Sequence, residues 1–447
     1  MVKKMVNVLK GTFYTLPCPI NLNMWWNMGS LLGVMLMVQV VSGLLLSCHY
    51  EASVLGAYNS VVHIIHDVNM GWYIRSLHSN GASFFFLIIY CHIGRGIYYH
   101  SFMMKSVWFV GVAMYMTLMM IAFLGYVLPW GQMSYWGATV ITSMLTAIPV
   151  VGAEITQLVW GGFTVNDSTL KRFYVLHMYM PLVLAGLFML HMYFLHNLGS
   201  NNPLGVEDSG DLISFHPYYS LKDYVGVVTM VSLLSGVILF TPDIFGGHEN
   251  FIPADPFKTP MHIQPEWYFL FAYTILRSVP NKTGGVCAML LSVLVLLVLP
   301  YSLKSEHLGL AFYPASQVNF WCMVSSFIGL TFLGARPVEY PYYEMGRIFM
   351  DVYFSYFITF GVLELYWDKI MAYVTFSSKV KGNGMFEVEG GLMHNGITGK
   401  SSFPTEPFSN PFLIPTPKTP EKGGFGGMKL KIIKAVKALM IFNRKGS

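Results

Sequence analysis

Four histidines stand inside stretches that are otherwise apolar, His78 and His92 in one and His177 and His191 in another. The members of each pair are 14 residues apart. On an α-helix that interval advances about 21 Å and returns to within about 40° of the starting face. Each pair therefore shares one helix face, its members near opposite sides of a membrane-thick layer. One further apolar stretch intervenes, so the two helices run parallel, and His78 matches His177 in depth as His92 matches His191. One imidazole from each of two facing helices supplies both axial ligands of a haem iron. With both positions filled, oxygen has no open site and the iron passes single electrons. A zinc site or a proton pathway is the rival chemistry. It wants carboxylates or cysteines at the same depths, and only Cys91 is there.

The elements that must hold these residues follow from composition. The chain has 447 residues, 54% apolar and 11% charged, with a net charge of +5. Soluble domains carry about 25% charged residues, so this sequence cannot cover itself with a water-soluble surface. That excludes a cytosolic enzyme, a disordered regulator and a nucleic-acid binder, and leaves a polytopic membrane protein. A bilayer-spanning helix needs about 20 mostly apolar residues. Eight such spans are expected, near residues 28–48, 73–98, 108–128, 173–196, 224–242, 284–303, 316–334 and 346–367. The uncharged run 106–153 is broken by Pro129, Gly131, Gly137 and Pro149, so it reads as one span followed by short interfacial helices. The expected fold is all-α, with the first four spans bundled around two stacked b haems.

Two more patterns fit that bundle. Gly29 and Gly43 in the first span are 14 residues apart, as are Gly111 and Gly125 in the third. Beside the histidines, these read as clearance for flat macrocycles; alone they would read as helix-packing contacts. Arg75 and Arg95 flank the second span near His78 and His92. Their guanidinium groups suit haem propionates, with interfacial snorkelling as the alternative. The five cysteines are scattered and form no Cys-x-x-Cys, which leaves iron–sulfur ligation and covalent haem attachment without support. The start has neither a signal-peptide core nor a transit-peptide pattern, so insertion without a cleaved presequence is expected. Thirty methionines fit an organellar genome.

The histidine pattern, the run Tyr126-Val-Leu-Pro-Trp-Gly-Gln-Met-Ser-Tyr-Trp-Gly-Ala138 and Pro265-Glu266-Trp267-Tyr268 together resemble cytochrome b, the membrane subunit of the respiratory quinol–cytochrome c reductase (the bc1 complex, complex III). Trp25-Trp26-Asn27-Met28-Gly29-Ser30, Asn80-Gly81-Ala82-Ser83, Gly199-Ser200-Asn201-Asn202-Pro203, His216-Pro-Tyr-Tyr219 and Arg336-Pro-Val-Glu339 extend the likeness over roughly residues 10–370. The chloroplast b/f relative is less similar, being split into two chains with one more residue between the ligands of its fourth span.

The resemblance implies two haem b groups, the outer on His78 and His177 and the inner on His92 and His191, together with two quinone sites. On the outer side, Glu266 would take a proton from quinol (ubiquinol), with Tyr126, Gly137, Ala138 and Tyr273 lining the pocket. Burial beside Trp and Tyr would raise the Glu266 carboxyl toward working pH; an ordinary loop carboxylate is the alternative. On the inner side, His196, Ser200, Lys222, Asp223 and Asn27 would surround the quinone reduction site. A plain interfacial cap, with Asp223 near a helix N-terminus, reads equally well from the residues alone. The resemblance further implies proton translocation, a Rieske iron–sulfur protein, cytochrome c1 and other complex III subunits as partners, and a homodimer. The implied location is the mitochondrial inner membrane, with a bacterial plasma membrane as the alternative. Lys and Arg counts on the two sides do not decide orientation, which rests on the resemblance.

The expected regions are a haem-binding bundle over 1–206, a second membrane region over 207–370, and an extension over 371–447. Within the extension, 376–428 reads as a Gly/Pro-rich linker and Lys429–Phe442 as a basic amphipathic segment suited to anionic lipid or a partner subunit. Two other function classes remain open. A membrane haem oxidoreductase fed by a soluble donor fits the four histidines equally well but needs no Glu266 loop. A transporter explains histidines in a membrane but not their repeated period.

Overall fold

The computed structural model describes residues 10–11, 14–206, 210–302 and 305–382. The chain divides into two units, Met1–Lys369 and Ile370–Ser447, and every residue of the candidate site lies in the first. Its α-helices are α1 (Met28–Ser47), α2 (Ala57–His66), α3 (Gly71–Tyr98), α4 (Lys105–Val127), α5 (Gln132–Ser143), α6 (Gly152–Trp160), α7 (Asp167–Leu198), α8 (Tyr218–Phe240), α9 (Leu270–Ser278), α10 (Lys282–Leu294), α11 (Pro314–Gly334) and α12 (Tyr342–Gly382). Between α10 and α11 lies a short turn of helix, Leu299–Ser302.

Among the described residues, eight stretches are long and apolar enough to cross a bilayer: Met24–Ser47, Gly71–Tyr98, Lys105–Val127, Asp167–Leu198, Tyr218–Phe240, Lys282–Ser302, Pro314–Gly334 and Tyr342–Val374. The number and order are those expected. The ends differ, because counting apolar residues stops at the first charge whereas backbone hydrogen bonding does not. Thus α7 begins at Asp167, ahead of Lys171 and Arg172, and α8 takes in Lys222 and Asp223. In the sixth span, α10 passes into a 3-10 turn at Val295–Val298 just before Pro300, whose ring cannot donate to the helical ladder.

The first four spans associate as two close pairs, α1 along α3 and α4 along α7. Helices α3 and α7 are not among the closely packed pairs, so a gap separates them at the level of their histidines. The uncharged run beyond α4 forms α5, a 3-10 turn and α6, as its prolines and glycines imply. Gln132 staples α5 to the loop after α8. Its Nε2 donates to the Lys258 carbonyl at 3.0 Å, and its Oε1 accepts from the Asp255 amide at 2.9 Å.

The architecture is the expected helical one; beside the helices, Pro17–Pro19 pairs antiparallel with Leu212–Ser214, and this ribbon ties the segment ahead of α1 to the segment ahead of α8. Contacts cross the expected boundary at 206/207: α3 lies against α8, and the Tyr90 hydroxyl donates to the Tyr268 carbonyl. Helix α12 runs to Gly382, past the start expected for the linker, while the remainder of that linker and the basic segment lie outside the described residues.

The start of α7 is fastened by a capping box. The Asn166 side chain accepts from the Ser168 amide at 2.8 Å and the Thr169 amide at 3.4 Å, and Thr169 Oγ1 accepts from the Asn166 amide at 3.1 Å. The same hydroxyl donates to the Trp160 carbonyl at 2.7 Å, joining α6 to α7. Thr169 is fully buried, so Thr169→Val, of equal shape, should cost about 1–3 kcal/mol. Thermal denaturation of the detergent-solubilised protein would register this as a lowered midpoint.

Candidate functional site

Helices α3 and α7 present the four histidines to each other in the expected pairs. The ring centres of His78 and His177 are 6.2 Å apart, and those of His92 and His191 are 6.5 Å apart. Two metal–nitrogen bonds of about 2 Å, with about 1.1 Å from each nitrogen to its ring centre, add up to about 6.2 Å. Both pairs thus have the spacing of two imidazoles on opposite sides of one metal.

The hydrogen bonds of the first pair also prepare it for ligation. His177 Nδ1 lies 2.9 Å from the Ile121 carbonyl, which can only accept, so that nitrogen carries the proton. The Ser42 hydroxyl donates to the Val38 carbonyl at 2.6 Å and so accepts from His78 Nδ1 at 2.9 Å. In both residues Nε2 keeps its lone pair for a metal. The second pair is held differently. Arg95 approaches His92 Nδ1 at 3.4 Å, and the His191 ring faces the Val107 backbone.

The glycines lie where the sequence pattern expects them, each beneath one of the four imidazoles. A Cβ at Gly43 would come within 3.1 Å of His78 Cε1, one at Gly111 within 3.3 Å of His191 Cε1, and one at Gly29 within 3.7 Å of His92 Cε1. A Cβ at Gly125 would overlap His177 Cε1. Each histidine therefore lies over the backbone of the helix paired with its own, which α1/α3 and α4/α7 packing makes unavoidable.

Both arginines are available to an anion. The Arg95 guanidinium lies 5.3 Å over the Trp26 ring, its Nε is buried without a partner, and no ion pair involves it among the described residues. Arg75 also lacks a carboxylate within ion-pair distance, although Asp243 and Glu266 are near enough to act on it through their charge.

A cavity of about 730 Å³ opens beside the first pair, lined by His78, His177, Arg75, Tyr126 and Glu266 among others. That is within the range of about 300–1,000 Å³ typical of cofactor and ligand pockets. The Glu266 loop is docked on α3. Trp267 Nε1 donates to Ser83 Oγ at 3.1 Å, and the Tyr268 ring stacks on Phe86 with centres 4.1 Å apart. Burial pushes the Glu266 carboxyl up to about 7, against the opposing pull of the Tyr126 hydroxyl and the Arg75 charge.

Other expected lining residues stand elsewhere. Gly137, Ala138 and Tyr273 are not on this cavity. Ala138 is buried against Trp130 and Tyr135, because the Gln132 staple turns that face of α5 inward, and the Tyr273 hydroxyl is engaged with the Ile263 carbonyl at 2.9 Å. At the His92 end, Asn27 Nδ2 donates to the Lys222 carbonyl at 3.0 Å, Lys222 Nζ donates to the Leu22 carbonyl at 2.6 Å, and Asp223 interacts with Ser30. No hydrogen bond joins His196 or Ser200 to this group among the described residues; His196 stands in the last turn of α7 and Ser200 follows its Gly199 cap. Sequence reasoning missed Gln39, Ser42 and Asp243, which line the site or orient its histidines. Gln39 and Ser42 carried a readable signal, since polar side chains inside an apolar span are costly.

The Cytochrome b/b6/petB family model matches residues 13–199, and the Cytochrome b(C-terminal)/b6/petD model matches residues 253–354. A chain of a solved hyperthermophilic respiratory complex III is 32% identical to this one, with a TM-score of 0.77, over 81% of this chain and 97% of that chain. The chain belongs to the cytochrome b family. A cytochrome b implies haem b and a quinone, and the residues described here fit the haem. Two metal-spaced imidazole pairs, glycine-cleared rings and two guanidinium groups with no carboxylate at ion-pair distance among the described residues are the donor set such a group requires. In this cytochrome b, alanine substitutions at the four glycines should rank by available space. Gly125→Ala should lose haem most severely, Gly43→Ala and Gly111→Ala less, and Gly29→Ala least. The haem-to-protein ratio of the purified variants checks that order.

Proposed function

We propose that the chain is the electron-transferring membrane subunit of a quinol–cytochrome c reductase. It oxidises quinol at the cavity beside His78 and His177, reduces quinone near His92 and His191, and couples the two to proton release and uptake on opposite faces. The observation that carries this reading is that one cavity is lined both by a metal-spaced histidine pair and by a carboxyl held near neutrality.

His78 with His177, and His92 with His191, would each hold a haem b, and Arg75 and Arg95 would pair with propionates. A haem with both axial positions filled supplies one-electron transfer without an open site for oxygen. At the quinol cavity, Glu266 as carboxylate accepts a proton from a quinol hydroxyl. Tyr126 holds that carboxylate by its hydroxyl, and the Arg75 charge favours the ionised form that can accept the proton. The docking of Trp267 and Tyr268 on α3 keeps Glu266 in register with His78. At the other end, Lys222 and Asp223, positioned by Asn27 and the ribbon at the chain start, supply a donor and a proton carrier for a quinone carbonyl. Similarity to a respiratory complex III chain supports assembly with a Rieske iron–sulfur protein, cytochrome c1 and other subunits, and the broad exposed face of α7 and α8 supports a homodimer. The membrane is proposed to be the mitochondrial inner membrane, with a prokaryotic plasma membrane as the alternative; fractionation of the source cell separates them.

Two outcomes test the reading. The isolated complex should show two b-type components in a reduced-minus-oxidised spectrum, and His92→Leu should lose one of them; one component in the wild type, or two in the variant, would sink the proposal. Glu266 can accept a proton only when ionised, so quinol oxidation should rise with pH through about 7. Glu266→Gln should lower the rate by about 100-fold and abolish that rise, as read from a pH–rate profile of steady-state turnover.

A further inference from the structure

The short turn joining α3 to α4 contains His100, which takes the left-handed backbone conformation at φ 55°. Glycine adopts that conformation freely and residues with a Cβ do so rarely, so a histidine there needs a compensating contact. It has one in Glu364 of α12. His100 Nε2 lies 3.2 Å from Glu364 Oε1, and both side chains are wholly inaccessible to solvent. The surroundings are aromatic: Phe102 and Phe360 stand 5.3 Å and 5.5 Å from the imidazole, ring centre to ring centre. The buried Tyr356 hydroxyl is near enough to feel the Glu364 charge. Asp368, one turn further on, is already occupied by the Tyr313 hydroxyl at 2.8 Å and the Glu306 amide at 3.0 Å, and does not compete for the imidazole.

The turn that this pair grips touches the His92/His191 end of the bundle by four other contacts. Asn201, just after α7, donates to the Tyr99 carbonyl at 2.9 Å and accepts from the Ser101 hydroxyl at 3.0 Å. The Tyr99 ring lies 4.9 Å from that of Trp26, and its hydroxyl accepts from Asn23 at 3.4 Å. Trp26 in turn carries the Arg95 guanidinium.

We propose that His100 and Glu364 form a buried latch between the turn after α3 and the eighth span, and that the latch positions the Trp26–Arg95 stack beside the His92/His191 pair. His100 and Glu364 are then positioning residues, since neither touches the histidines. The proposal rests on the haem reading above, and its test keeps the two apart.

The intact complex is titrated potentiometrically, with the His92-site component assigned as the one lost in His92→Leu. His100→Gly, which relieves the left-handed turn, and Glu364→Leu should each shift that component's midpoint potential and leave the other in place. Glu364→Gln, which keeps a polar side chain of the same shape beside the imidazole, should stay close to wild type. The double variant His100→Gly/Glu364→Leu should lose less thermal stability than the two single losses added together. Unmoved potentials in both single variants overturn the latch, as does a Glu364→Gln indistinguishable from Glu364→Leu. If a single variant fails to assemble, the Gln variant and the double variant decide: a wild-type-like Gln variant with a double variant that assembles supports the latch, and failure of both overturns it. A wild-type complex without two titrating components overturns the haem reading instead.

Discussion

Helices α3 and α7 are kept about one imidazole–metal–imidazole width apart, and much of the bundle serves to keep them there. Two apolar helices left to themselves would close that gap, because packing is the main attraction between helices in lipid. Here each helix is committed elsewhere, α3 to α1 and α7 to α4. The glycines at 29, 43, 111 and 125 let each histidine lie across its neighbour's backbone, so the rings reach the midline at 6.2 Å and 6.5 Å. A Cβ at Gly125 would push His177 off that line, whereas one at Gly29 meets His92 only at ordinary contact distance. The four positions therefore bear the constraint unequally.

A second order follows from α3 alone. Along this one rigid helix stand Arg75 and His78, then Ser83, Phe86 and Tyr90, which hold the Glu266 loop, then His92 and Arg95. Proton acceptor and metal ligand are thus fixed relative to each other by helix geometry rather than by the loop carrying Glu266. That loop has little regular structure of its own; its position is set by what it is bonded to. A carboxyl placed by α3 in a buried cavity is raised toward neutrality by burial, and this would not survive if the loop opened to water.

Much of this was legible in the sequence, for a specific reason. Histidines 14 residues apart on two parallel spans are a statement about helix faces and depths, and helices convert sequence interval into position without help from tertiary contacts. The same holds for the glycines, though what they make room for was visible only once α1 and α4 were seen to lie under the imidazoles. The loops were less legible. Nothing in the interval between Gly137 and Glu266 says that Gln132 anchors to Lys258 and turns Ala138 away from the cavity. His196 and Ser200 were expected beside Asp223 from the reach of a connecting loop, and an interval of sequence does not show which contacts that loop makes. Among them is the hydrogen bond from Asn201 to the Tyr99 carbonyl. Helix ends were misplaced wherever charges extend a helix beyond the apolar run, as at Asp167 and Lys222.

The scarce charges sort into two kinds, and the difference is physical. At both ends of the histidine columns a buried guanidinium, Arg75 or Arg95, stands without a carboxylate at ion-pair distance. A cation so placed is costly unless an anion is supplied from outside the protein's own side chains. Away from the columns, by contrast, the fully buried ion pair among the described residues, His100 with Glu364, sets a basic group against a carboxyl of the protein's own at 3.2 Å. Were Arg75 and Arg95 only interfacial anchors, they would reach toward water, as long basic side chains at span ends ordinarily do. Arg95 instead lies over Trp26 and against His92, its Nε buried. The cations without a carboxylate at ion-pair distance stand where a ligand's acidic groups would meet them, and the buried basic group away from the columns has its carboxyl beside it. That division argues that the columns are built to hold something anionic at both ends.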